Sequence, residues 1–240
     1  MPLPLSETFT SIQGEGKLAG VPSWFVRFSG CNLRCGWCDT PYASWSPEVT
    51  SRGLEDVLAE ARGNVERNVR HAVVTGGEPM MFDAVEPLCR GLREMGMHVT
   101  IETAGTIARR PDALACDLMS ISPKLSNSTP REGDPRDPGS VWRVRHEERR
   151  LNLEALQQLI SNFPSRQLKF VVSELEQLNE IESLLAKLQG WTNEDVLLMP
   201  EGVSVETLAS RRWLVEACTS RGWRFCPRLH IQLFGNKRGT

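Results

Sequence analysis
What most limits the fold of this chain is a rhythm. Short apolar, β-branched runs recur: Trp24–Phe28, Ala72–Thr75, His98–Glu102, Leu118–Ile121, Leu168–Val172, Val196–Met199 and Arg224–Cys226. Between most of them lie stretches with helical spacing. Leu54, Val57, Leu58 and Ala61 share one face, as do Val85, Leu88, Cys89, Leu92 and Met95. Leu153, Leu156, Leu159, Ile160 and Phe163 make a third stripe, and Leu175, Leu178, Ile181, Leu184, Leu185 and Leu188 a fourth. Strands that alternate with helices form βαβ units and a parallel sheet. About six such strands, fewer than the eight of a closed (β/α)8 barrel, predict an α/β fold: an incomplete, partial TIM-type barrel with its helices outside. Ligands in such folds bind at the carboxyl ends of the strands. Chemistry is therefore expected just after each apolar run, and chemistry-bearing residues stand there: a cysteine cluster, Gly76-Gly77-Glu78-Pro79, Thr103-Ala104-Gly105 and Ser122-Pro123-Lys124. Residues 126–150 break the rhythm. They are polar, charged and proline-rich, and predict a surface loop insertion within a single domain spanning 1–240, with a lid or dimer contact as the alternative.

Composition excludes several classes. With 28 basic and 30 acidic residues, the net charge of −2 gives no basic footprint for nucleic acid. No apolar run approaches the ~20 residues of a membrane span. The first residues, Met1-Pro2-Leu3-Pro4-Leu5-Ser6-Glu7, show neither the basic start nor the apolar stretch of a signal peptide. The expectation is a cytoplasmic protein. Seven cysteines are an odd number, three of them clustered, which fits metal binding in a reducing compartment better than a disulfide framework. Cys89, Cys116, Cys218 and Cys226 sit among apolar neighbours and are expected in the core.

The cluster reads Ser29-Gly30-Cys31-Asn32-Leu33-Arg34-Cys35-Gly36-Trp37-Cys38-Asp39-Thr40, with C-x3-C-x2-C spacing. Three thiolates so close in sequence can converge on one inorganic centre. Zinc usually takes four ligands, often in pairs; here there is no second pair, and His71, His98, His146 and His230 are dispersed. A [4Fe–4S] cubane held by Cys31, Cys35 and Cys38 instead keeps one iron without a protein ligand. That iron can be chelated by the α-amino and α-carboxylate groups of S-adenosylmethionine, whose reductive cleavage starts radical chemistry. C-x3-C-x-aromatic-C, with Trp37 in the aromatic position, resembles the radical S-adenosylmethionine superfamily, and Gly76-Gly77-Glu78-Pro79 resembles its Gly-Gly-Glu element. There, glycines let backbone carbonyls approach the cofactor's ammonium, with Glu78 adding negative charge nearby.

The direction of the radical depends on other residues. Ser11-Ile12-Gln13-Gly14-Glu15-Gly16 reads either as a glycine-rich turn or as a loop that meets the edge of a heterocycle. Arg27 offers a planar fork suited to a carboxylate. Together with Arg27–Cys35, Trp37–Thr40, Thr75–Pro79, Glu102–Gly105, Ser122–Lys124 and Gly235–Gly239, the chain resembles the 7-carboxy-7-deazaguanine synthase family along nearly its whole length. The resemblance implies ring contraction of 6-carboxy-5,6,7,8-tetrahydropterin with loss of ammonia, on the route to queuosine and other deazapurines. It implies substrate contacts at Ile12, Gln13, Gly14, Arg27 and Thr75, and S-adenosylmethionine contacts at Trp37, Cys38, Asp39, Gly77, Ser122, Pro123 and Lys124. It also implies Mg2+ at Thr40, a homodimer, and an electron donor such as flavodoxin or ferredoxin. The same cysteine spacing also suits an activase that takes hydrogen from a partner protein, and a non-catalytic iron–sulfur sensor is the third alternative.

Overall fold
The computed structural model describes residues 1–240. Nine strands form one sheet: β1 (Pro2–Ile12), β2 (Pro22–Phe28), β3 (Thr50–Gly53), β4 (His71–Gly76), β5 (His98–Thr103), β6 (Leu118–Ile121), β7 (Arg166–Val172), β8 (Val196–Pro200) and β9 (Arg224–Phe225). Their spatial order is β3-β1-β2-β4-β5-β6-β7-β8-β9. Every pairing from β2 to β9 is parallel, so seven parallel strands fall on the seven apolar runs, one more than the count of about six. β1 and β3 add an antiparallel flank that the apolar rhythm does not announce.

Eight helices complete the fold: α1 (Leu54–Glu66), α2 (Val85–Glu94), α3 (Val141–Arg149), α4 (Leu153–Asn162), α5 (Gln177–Leu185), α6 (Val205–Ser210), α7 (Leu214–Arg221) and α8 (Leu229–Phe234). The four stripes belong to α1, α2, α4 and α5, although Leu153 and Leu175 at the edges of their stripes are exposed. Asn152 starts α4, its side chain accepting the Ala155 N–H at 3.1 Å. These stripes meet alternate strand residues, among them Trp24, Val26, Phe28, Val74, Ile101, Ile121, Leu168 and Phe170, in one large core. Each such side chain contributes about 1.5–3 kcal/mol by leaving water. Because side chains alternate along a strand, Phe25, Arg27, Thr75, Glu102, Ser120 and Lys169 point to the opposite, concave side, where they line a cavity.

The sheet does not close, since β3 and β9 are its edges. One loop bridges its flanks. Following β1, the Gly14 carbonyl accepts the Leu229 N–H at 2.8 Å, the Gly16 N–H points at Cys226 Sγ at 3.0 Å, and the Lys17 N–H donates to Gln167 at 2.7 Å. A Cβ on Gly14 would lie 2.0 Å from His230 Nδ1, so only glycine passes.

Residues 126–150 depart from the expected surface loop. They hold a 3-10 turn, Ser126–Ser128, and all of α3. Only His146 is buried in this helix, so Val141–Arg149 has no apolar stripe to announce it. Asp137 steadies its first turn by accepting the Arg143 N–H at 2.8 Å. Cys89, Cys218 and Cys226 are buried and Cys116 is half-buried. No helix is long and apolar enough to cross a membrane.

Candidate active site
A cavity of about 440 Å³ lies between the cysteine loop and the concave side of the sheet. Cys31, Cys35 and Cys38 all line it. Their loop leaves β2 and is locked by backbone bonds: Gly77 N–H to the Phe28 carbonyl, Glu78 N–H to that of Gly30, and Gly30 N–H to that of Ala43. A Cβ on Gly77 would sit 2.2 Å from the Gly30 oxygen, so the glycine pair is needed first for this interlock. Glu78 is fully buried, outside the cavity lining, and accepts hydrogen bonds from Thr103 Oγ1 at 2.9 Å, Ala104 N at 2.8 Å and Met80 N at 3.1 Å. Its carboxylate ties the end of β4 to the end of β5, and its charge is felt at Cys31.

The donor set fits an iron–sulfur cluster. Burial, reinforced by the Glu78 carboxylate and by Cys38, pushes the Cys31 thiol up to about 12. Burial raises Cys35 as well, with its two neighbouring thiols adding to the effect. Ligation therefore needs a strongly positive centre to draw off the protons. The Arg34 guanidinium stands behind the loop, bound to the carbonyls of Cys31 and Leu33 at 2.7 Å each. No three His, Cys, Asp or Glu groups are drawn together around a single metal ion, a convergence that a cubane does not require because each thiolate binds its own iron.

Beside the loop, Trp37 packs against a small apolar floor of Val171, Leu197, Met199 and Cys226. Its Nε1 is buried without a partner. Lys124 places its ammonium 5.4 Å from the Trp37 ring and donates to Ser122 Oγ at 2.9 Å. Asp39 is paired with Arg228, whose Nε also reaches Glu15 at 3.1 Å.

The concave side is polar and densely paired. Glu102 accepts from Gln13 Nε2 at 3.2 Å and from Thr75 Oγ1 at 2.8 Å, and Lys169 Nζ lies 4.0 Å away. Lys169 pairs with Glu15. Although burial opposes its charge, Glu15 is held far below the usual carboxylate range by Lys169 and Arg228. The Arg27 Nε donates to Glu7 at 2.8 Å, while its terminal nitrogens have no protein partner. Glu7 also accepts from Tyr42 at 2.8 Å and Arg238 at 3.0 Å.

This geometry has relatives. Residues 25–162 match the model of the radical SAM superfamily. Over 239 residues the chain is 48% identical to 7-carboxy-7-deazaguanine synthase of Rhodopirellula baltica, covering 99% of this chain and 89% of that one. It is 45% identical to the synthase of Halobacterium salinarum, with 99% and 93% covered. The crystal structure of QueE from Escherichia coli superimposes with a TM-score of 0.68 at 27% identity, covering 94% of this chain and 93% of that one. The chain belongs to the 7-carboxy-7-deazaguanine synthase family.

Membership makes it a radical S-adenosylmethionine enzyme, with the [4Fe–4S] cluster and S-adenosylmethionine that the superfamily implies. Of the positions read from sequence, Ile12, Gln13, Gly14, Arg27, Cys31, Cys35, Trp37, Cys38, Asp39, Thr40, Thr75, Gly77, Ser122 and Lys124 all line the one cavity. Pro123 does not line it and is buried. Thr40 stands at the N-cap before Pro41 but its hydroxyl caps nothing, lying 3.8 Å from Cys38 Sγ. Sequence reasoning missed Glu7, Glu102, Lys169, Arg228 and His230. For Glu102 and Lys169 a signal was present: polar residues at alternate places, Thr100 and Glu102 on one strand and Gln167 and Lys169 on another, mark a polar inner face.

Proposed function
We propose that this chain contracts the ring of 6-carboxy-5,6,7,8-tetrahydropterin to 7-carboxy-7-deazaguanine with loss of ammonia, in queuosine and deazapurine biosynthesis, as a carbon–nitrogen lyase. The observation that carries this reading is the polar concave side beneath the cysteine loop: a half-buried arginine with its terminal fork uncommitted, across a cavity of suitable size from a half-buried carboxylate. When bound, the [4Fe–4S] cluster supplies one electron to S-adenosylmethionine, which yields a 5′-deoxyadenosyl radical. Cys31, Cys35 and Cys38 hold the cluster. Trp37, Cys38, Asp39, Gly77, Ser122 and Lys124 bind S-adenosylmethionine, the Trp37 ring lying along the adenine. Arg27 grips the substrate carboxylate through its terminal N–H groups. Glu102, oriented by Gln13 and Thr75, accepts hydrogen bonds from the pterin's N–H edge, and Ile12 and Gly14 close the loop over it. The Thr40 hydroxyl, with substrate oxygens and water, holds Mg2+. The enzyme works as a cytoplasmic homodimer and draws electrons from a flavodoxin- or ferredoxin-like donor.

The test is direct. Anaerobically reconstituted protein with reductant, S-adenosylmethionine, Mg2+ and the carboxylated tetrahydropterin is expected to form the deazapurine by mass spectrometry. 5′-Deoxyadenosine without deazapurine would contradict the substrate. Neither product, with an intact cluster, would contradict the radical chemistry.

A further inference from the structure
We infer that residues 126–150 are the scaffold of the cysteine loop and that His146 is a positioning residue for its cluster. The inference rests on Cys31, Cys35 and Cys38 holding that cluster. The loop from Cys31 to Cys38 lies outside every helix and strand, so its backbone groups need partners from elsewhere. The 126–150 segment supplies them on both sides of Cys35. The Arg34 N–H donates to His146 Nδ1 at 3.1 Å, and the Gly36 N–H donates to the Ser128 carbonyl at 2.8 Å. The Gly36 carbonyl in turn accepts from Arg136 Nη2 at 2.8 Å. Two stacked cations brace the assembly: Arg34 lies 4.0 Å over Trp142, and Arg136 lies 4.3 Å over Trp45.

His146 joins the two halves. It is 0% exposed, and its Nε2 lies 2.9 Å from Ser128 Oγ. The Ser128 hydroxyl already donates its proton to the Leu125 carbonyl at 2.6 Å, so it accepts from the imidazole. That places the proton on Nε2 and leaves Nδ1 bare to accept the Arg34 N–H. Every group in the chain from Arg34 through His146 to Ser128 and Gly36 is satisfied in only one arrangement. Without it, the Arg34 N–H is a buried donor without a partner, free to turn toward any acceptor beside Cys35, a bound cluster's sulfurs among them. Hydrogen bonds to sulfur tune a cluster's potential, and an added donor favours the more negative, reduced state. The segment that reads as a loop thus fixes which N–H groups the cluster feels.

The experiment compares wild type with His146→Leu, His146→Asn and His146→Gln after anaerobic cluster reconstitution. It measures iron release to a chelator, the cluster's midpoint potential and its EPR spectrum. Leu is expected to release iron about tenfold faster, with an upward shift in potential and an altered spectrum. Asn places an oxygen where Nδ1 stands and is expected to restore both. Gln places its amide near the Nε2 position, leaves Arg34 without its acceptor, and is expected to behave like Leu. Should Leu prevent folding, the Asn and Gln pair carries the comparison. Wild-type iron release and potential in Leu and Gln would overturn the inference, as would identical behaviour of Asn and Gln. A wild type that takes up no cluster would instead contradict the cysteine assignment itself.

Discussion
The two sides of one sheet follow different rules. On β7, Leu168, Phe170 and Val172 enter the large core against the helices, while Lys169 between them enters the cavity. The outer side is held by area removed from water, which is insensitive to the identity of the neighbour. The inner side is held by specific partners: Lys169 with Glu15, Glu102 with Gln13 and Thr75, Arg27 with Glu7. Burial of charge is tolerated there only because each group is paired. The fold is therefore made on one side, and recognition is built on the other by groups that cost stability when left alone.

The sharpest way to break this comparison uses adjacent residues on β7. Phe170→Ala is expected to cost about 3–5 kcal/mol in denaturant unfolding. Lys169→Met is expected to cost about 3 kcal/mol, because it leaves Glu15 and Glu102 charged and short of a partner. Adding Glu15→Gln should recover part of that second loss and none of the first. Simple addition of the Lys169 and Glu15 losses would show that the inner side is not held by pairing.

Next in size is a pH effect. His71 bridges Ser23 and Thr100 at 2.7 Å each, and burial lowers its pKa to about 4. His146 is likewise lowered to about 4, chiefly by burial. Both are neutral in the fold, so below about pH 6.5 the unfolded chain takes up protons first and stability falls with pH until about pH 4. The expected loss is about 1.4 kcal/mol for each histidine by pH 5.5. His71→Asn should remove its share of the slope between pH 7 and 5.5; an unchanged slope would contradict the assignment.

Sequence and structure agree most where a pattern had one physical meaning. Apolar runs marked the parallel strands because both periodicity and β-branching point the same way, and C-x3-C-x2-C marked the loop whose three cysteines line the cavity. β1 was hidden by Pro2 and Pro4, although Leu3 and Leu5 are buried, and β3, Thr50–Gly53, is a polar edge. α3 was hidden because its one buried side chain is a histidine. The partner of Arg27 was not legible at all: Glu7 lies twenty residues earlier on the unrecognised strand, and Arg238, which shares Glu7 with it, lies near the far end of the chain. Nothing in local sequence joins residues that meet only through sheet pairing.

The central claim is that the cysteine loop starts the chemistry and the concave side directs it. Arg27→Ala separates the two most directly. Glu7 keeps Tyr42 and Arg238 in this variant, so the fold around it stands. Substrate binding and S-adenosylmethionine cleavage would be measured side by side on the reconstituted protein. Substrate affinity is expected to fall about 10–100-fold, the loss of one charge-assisted contact, while cleavage in the absence of substrate stays near the wild-type rate. Equal loss of both would contradict the division, and would make Arg27 part of the frame rather than of recognition.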